Sequence, residues 1–259
     1  MMTSVMRGRK PRAQTVTIGP EEAQLRVELA AAYRLIALYG LDDLVQTHIS
    51  VRVPRRDDQF LINSFGMLFR EVTASSLVKI DLEGRRIDGK AEPFNPAGFV
   101  IHSAIHAARP DVACVMHTHT QAGIAVSAML EGLLPLSQWS MLFHNRLGIH
   151  DYEGVVLEMG EQERIVADLG PHHAVLLRNH GLLTAGRSIA HAFYLMYYLD
   201  RACRVQVEAL ASGRVLSIPP PSVCERAARQ FEDDPVPIGD REWPALLREL
   251  DRVNPGYEA

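Results

Sequence analysis

The residues best suited to chemistry are three histidines, two spaced i and i+2 in His117-Thr118-His119 and one beside a glycine in Asn179-His180-Gly181. In a strand, i and i+2 point to the same face, so His117 and His119 at a strand end aim two imidazoles the same way. His180 also follows an apolar strand, and Gly181 lets the backbone turn tightly beside it. If the two strands are neighbours, three neutral nitrogens converge on one point. That is the ligand set of a catalytic divalent metal with an open fourth position, with zinc the first expectation and Fe(II) or Mn the others. Three neutral ligands leave the ion its full charge, with which it can polarise a carbonyl or stabilise an enolate.

Other histidines offer a proton relay, since imidazole titrates near neutrality: His48, His102, His106 and His144. His102 and His106 are four apart on one helix face, so they act together if either acts. For each of the four, a structural hydrogen-bonding role stands beside the catalytic one. Arg52 could meet an anionic substrate or pair with Asp81 or Asp111.

Positioning these groups takes strands and helices that the apolar pattern supplies. Pro20-Glu21-Glu22 opens a helix that runs to Gly40, with proline in its first turn and acids against its dipole. Residues 47–53 alternate polar and apolar, as a half-buried strand does. Phe60 to Ile62 and Leu77 to Asp81 read as further strands, with Glu83-Gly84 as a turn. Gly98 to Arg109 reads as a helix stopped by Pro110, and Val112 to His117 as a buried strand. Ala174 to Leu177 is another strand, and a long helix spans about Ser188 to Ala211 before Gly213. Two weaker helical stretches follow Pro221. The succession predicts an α/β layered domain with a central sheet.

The 259 residues are 47% hydrophobic and 22% charged, with a net charge of −4. Such a chain can bury a sizeable core and has no general electrostatic attraction to nucleic acid or anionic membrane. The one basic cluster, residues 7–12, lies in a polar N-terminal arm (1–18) expected to be flexible, ahead of one domain over 19–259. Three cysteines without CxxC spacing point to reduced thiols and a cytoplasmic setting. No stretch reaches the ~18 apolar residues of a membrane span.

From about Pro20 to Gly213 the sequence resembles the class II aldolase/adducin family. The resemblance is carried by Thr47-His48-Ile49-Ser50-Val51-Arg52, Ile62-Asn63-Ser64-Phe65-Gly66, Arg109-Pro110-Asp111, Val115-Met116-His117-Thr118-His119 and Asn179-His180-Gly181. It implies a three-layer α/β/α fold around a mostly antiparallel sheet; the helical stretches from about residue 214 read as an extension beyond the part that resembles the family. It also implies His117, His119 and His180 as metal ligands, and a homo-oligomer, commonly a tetramer.

The chain departs from the family's sugar-phosphate aldolases at several positions. Gly98 stands where their catalytic glutamate does. Their phosphate pocket has asparagine at His48, threonine at Phe65 and serines at Pro96 and Ala97; only Gly66 remains of it. Trp139 stands near an aligned proton-donor tyrosine. Asn95-Pro96-Ala97-Gly98-Phe99 resembles instead the adducin-like branch. Glu153 is the first replacement acid and Tyr152 the second, and Trp139, Phe65 and Phe99 would make an apolar pocket for a larger or aromatic substrate without phosphate. These features imply a metal-dependent lyase, performing aldol cleavage or decarboxylation of an unphosphorylated hydroxy or oxo acid through a metal-stabilised enediolate. Two alternatives are a non-haem Fe(II) oxygenase acting on an aromatic oxo acid and a non-catalytic adducin-like interaction module.

Overall fold

The computed structural model describes residues 18–89, 92–154 and 160–259; the basic cluster at 7–12 and the arm containing it fall almost wholly outside this range. Helix α1 (Pro20–Leu38) starts on its proline with Glu21 and Glu22 in the first turn. Strands β1 (His48–Arg52), β2 (Gln59–Ile62) and β3 (Val78–Asp81) form an antiparallel meander. After β3 the turn at Gly84 (φ +79°) brings the chain back only as far as a single bridge between Ile80 and Arg86.

Helix α2 (Pro96–Ala108) begins on proline, and Asn95 Oδ1 accepts from the Gly98 N–H at 3.4 Å. There follow β4 (Cys114–Thr118), α3 (Gln121–Ser127), α4 (Gln138–Met141), β5 (Gly148–His150), α5 (Glu161–Leu169), β6 (Ala174–Leu177) and β7 (Gly181–Gly186). The long α6 (Ile189–Ala211) is capped by Ser188 Oγ, and α7 (Pro221–Glu232) and α8 (Trp243–Val253) complete the chain.

The seven strands lie in the order β3-β2-β1-β4-β7-β6-β5, all antiparallel except β5 with β6. The strand ahead of His180, β6, is not a direct neighbour of β4, which carries His117. β4 pairs with β7, and β6 lies one strand further out. Sequence reading missed β7 because Gly181-Leu182-Leu183-Thr184-Ala185-Gly186 is short, glycine-bounded and buried on both faces, so it shows no alternation.

The strand period divides the core between the two faces of the sheet. Ile49, Val51, Cys114, Met116 and Leu182 pack with α1 and α6, whereas Val115, Leu183 and Ala185 pack with Ile101 and Ile105 of α2 and Ile165 of α5. The result is helix, sheet, helix. Tyr33 of α1 ties the first layer to the second: its hydroxyl donates to the Ile49 carbonyl, lies 2.8 Å from Asn63 Oδ1, and accepts from the Ile49 N–H at 2.8 Å. This gives Asn63 of the Ile62–Gly66 motif a positioning role.

Candidate metal centre

His117 occupies the next-to-last position of β4, with its side chain on the α2 side of the sheet, and lies directly across from His48 of β1. His119 follows the strand. The next residue, Thr120, caps α3 by accepting from the Gly123 N–H at 3.1 Å, so the chain turns immediately after His119 and leaves that ring at the sheet edge. His180 sits in the three-residue connection between β6 and β7. The sharp reversal there uses Asn179 at φ +55° and Gly181 at φ +158°. A Cβ on Gly181 would lie 2.4 Å from the Thr118 carbonyl oxygen, so the close approach of the two histidine-bearing segments requires glycine.

These turns bring the three Nε2 atoms together. His117 Nε2 lies 2.8 Å from His119 Nε2 and 3.2 Å from His180 Nε2. His117 Nδ1 donates to the Leu182 carbonyl at 2.9 Å, and His119 Nδ1 donates to Asp43 Oδ2 at 2.9 Å. A carbonyl or carboxylate oxygen can only accept, so both Nδ1 atoms carry the proton and both Nε2 atoms keep a lone pair. Lone pairs facing at this range repel unless a cation lies between them. Tetrahedral zinc with Zn–N near 2.0–2.1 Å separates its nitrogens by roughly 3.3 Å, close to what is found. The residues therefore fit a divalent ion, and among the described residues no other group of three or more His, Cys, Asp or Glu side chains gathers its ligand atoms this closely. Burial first, and the neighbouring imidazoles second, hold His117 well below the ordinary histidine range and lower His180 to about 4. Both imidazoles are therefore neutral at physiological pH, the form in which histidine can bind a metal. Asp43, in the loop after α1, went unremarked in the sequence because an acid in a loop has no pattern to mark it.

Beside the three converging histidines runs a buried chain of polar side chains. The rings of His48 and His117 are 5.1 Å apart. His48 Nδ1 and His102 Nε2 share a hydrogen bond of 2.8 Å, His102 Nδ1 bonds Ser50 Oγ at 2.6 Å, and Ser50 Oγ bonds His106 Nε2 at 2.8 Å. His48 and Ser50 are i and i+2 on β1, and His102 and His106 are i and i+4 on α2, so each element turns two members toward the other. Desolvation holds His48 and His102 far below their usual range and His106 at about 3. Gly98 forms the wall against which His48 stacks, since a Cβ there would fall 2.7 Å from His48 Cδ2.

The other candidates are more dispersed. Glu153 and Tyr152 line a small recess together with His180 and His150, and Glu153 is ion-paired with Arg164. Arg52 gives its donors to main-chain carbonyls, among them His106 and Asp57, and neither of the acids once considered as its partner binds it: Asp81 pairs with Arg85 and Asp111 with Arg109. Phe65 and Gly66 (φ +96°) form the turn after β2. The three rings expected to line one apolar pocket have different neighbours. Trp139 lies against Tyr198 and Arg201, and Phe99 against Phe94. His144 is half-buried in the turn after α4.

A three-layer fold with this histidine triad is that of the class II aldolases, and the chain belongs to the class II aldolase/adducin family. The family described as Class II Aldolase and Adducin N-terminal domain matches residues 27–207. A Caulobacter vibrioides protein named for the class 2 aldolases is 51% identical over 241 residues, covering 93% of this chain and 94% of its own length. Rat alpha-adducin is 43% identical over 91% of this chain, which spans 34% of that protein. The crystal structure of an aldolase II superfamily protein from Pseudomonas syringae has a TM-score of 0.88 at 49% identity, covering 93% of this chain and 98% of that one. L-fuculose 1-phosphate aldolase from Glaciozyma antarctica has a TM-score of 0.81 at 31% identity, covering 94% of each.

Proposed function

We propose that this chain is a metal-dependent lyase acting beside a carbonyl, by aldol cleavage or decarboxylation of a hydroxy or oxo acid that carries no phosphate. The observation that carries the reading is the convergence of three imidazole Nε2 atoms, two with their tautomer fixed by an acceptor at Nδ1. A divalent ion held there supplies Lewis-acid polarisation of a bound carbonyl. His117, His119 and His180 hold it, and Asp43 keeps the His119 ring in register.

His48 stands next to the ligands where a side chain at position 98 would otherwise be. With His102, Ser50 and His106 behind it, it is the group placed to hold or pass a proton at the site. His102 is fully buried and reaches substrate only through His48. Glu153 and Tyr152, in the recess beside His180, are the second set of groups able to move a proton. His48, Phe65, Gly66, Gly98, Trp139 and Arg52 are the substrate-binding candidates. The absence of a phosphate requirement is supported by Phe65 and Pro96, which offer no side-chain donors to an anion needing several. We also read the protein as cytoplasmic, in keeping with three buried, unpaired cysteines and with the lack, among the described residues, of any helix long and apolar enough to cross a membrane, and as a homo-oligomer, as the family resemblance implies.

The test is a paired panel of hydroxy and oxo acids, each with and without a phosphate, assayed after metal removal and after restoration with Zn(II), Mn(II) or Fe(II). Cleavage of an unphosphorylated member that disappears and returns with the metal is the expected result. Turnover confined to the phosphorylated members, as the name of the Glaciozyma protein suggests for that enzyme, would overturn the substrate reading. Oxygen uptake with Fe(II) alone would replace lyase with oxygenase.

A further inference from the structure

Four aromatic residues of α6, Phe193, Tyr194, Tyr197 and Tyr198, recur at spacings of one, three and four, which puts them on adjoining faces of two successive turns. Tyr39, at the end of α1, joins them with its ring 5.2 Å from Tyr197 and 6.2 Å from Phe193. Tyr198 lies 4.5 Å from Tyr194 and stands edge-on to Tyr197 at 5.2 Å. The five rings line a half-open cavity of about 180 Å³, and its remaining wall includes Glu242 and Leu246. No lysine, arginine or histidine is among the residues lining it.

That wall comes from the part of the chain beyond residue 207, where the family match ends. It is held close by Gly239, which lies flat on the first turn of α6 at φ +93°; a Cβ there would meet the Ala190 carbonyl oxygen at 2.4 Å. Aromatic faces are electron-rich and attract cations, most strongly when water is excluded. The chain's own Arg201 already uses one of these rings, its Cζ 4.5 Å over Tyr197. Burial first, with Tyr198, Glu242 and Asp234 behind it, pushes the Tyr194 hydroxyl up to about 12, so the carboxylates of Glu242 and Asp234 are felt at this ring. A cavity of about 150 Å³ accepts a benzene-sized molecule, so 180 Å³ has room for a compact methylated ammonium head.

We propose that the cage of Tyr39, Phe193, Tyr194, Tyr197 and Tyr198, closed by Glu242, is a binding site for a small organic cation of the quaternary or methylated ammonium class. The site shares no residue with the metal centre and stands independently of the lyase reading.

The experiment titrates the full chain with choline chloride, and separately with its uncharged isostere 3,3-dimethylbutan-1-ol, at constant ionic strength, following tyrosine fluorescence and ligand saturation-transfer NMR. Choline should bind saturably and at least tenfold more tightly than the isostere. Glu242→Gln, which keeps the shape and removes the charge, should weaken choline at least fivefold, and Tyr197→Leu should weaken it further. Equal binding of the isostere would reduce the cage to an apolar hole and overturn the proposal. So would unchanged affinity in Glu242→Gln, or failure of choline to saturate, including failure because a second copy covers the cage in sedimentation runs. Glu242→Gln keeps the test decisive if Tyr197→Leu does not fold.

Discussion

His48 and Gly98 occupy one space between them: the imidazole of the first lies where the Cβ of any other residue at the second would have to be, 2.7 Å from Cδ2 and 2.8 Å from Cγ. The histidine and the glycine, which stand where the resemblance puts an asparagine and a glutamate, are therefore sterically coupled. A ring from β1 fills the room that a side chain from α2 gives up.

The coupling has an energetic signature. Gly98→Ala overpacks a ring that His102 holds from behind, and should cost about 1–3 kcal/mol. In a His48→Ala background the clash is gone, and the same substitution should become neutral or stabilising by up to about 1 kcal/mol, the ordinary helical preference for alanine over glycine. Urea unfolding of the two single variants and the double variant reads the coupling. Additive effects would mean the ring and the missing Cβ do not compete.

Asp43 should matter to the metal without touching it. Its carboxylate accepts from His119 Nδ1 and fixes the tautomer that frees Nε2. Asp43→Asn should weaken divalent metal affinity by about 10–100-fold, measured by competition with a chromophoric chelator, while the fold stays intact. Affinity within twofold of the parent would remove Asp43 from the site.

The buried histidine chain should make the protein acid-labile in a defined window. Burial, with Arg52 second, holds His106 at about 3, against an ordinary value near 6.5. Unfolded chains take up the proton as pH falls through 6.5, and the folded state does not until about 3. The unfolded state thus binds more protons between these limits. Stability fully present above 6.5 is lost progressively toward 3, at up to about 1.4 kcal/mol per pH unit for each such group. Chemical denaturation at pH 7.5 and 5.0 should show a smaller loss for His106→Gln than for the parent protein. Equal losses would mean that His106 does not drive the acid lability.

Much of this was legible in the sequence, for physical reasons that also mark the boundary. The three converging histidines could be read because strand period and an adjoining glycine are local signals, and His102 and His106 share a helix face by spacing alone. The path that brings His180 to His117 could not, because β7 has no alternation and the neighbour of β4 is decided by packing. Asp43 lies in a loop, and its partnership with His119 exists only in three dimensions. Arg52 had anionic partners within plausible reach, yet main-chain carbonyls at the end of α2 and in the following turn took its donors. The cage on α6 has no sequence signal beyond that of a long helix, because the residue that gives it a chemical character, Glu242, arrives from 44 positions beyond Tyr198.

The lyase reading requires a single metal centre at His117, His119 and His180. Elemental analysis of gently purified protein, set beside a folded His117/His119/His180→Ala triple variant, tests this most directly. One divalent ion per chain is expected in the parent protein, and none in the variant. Parent protein that carries no metal and binds none when zinc is supplied, or a variant that keeps its full complement, would contradict it.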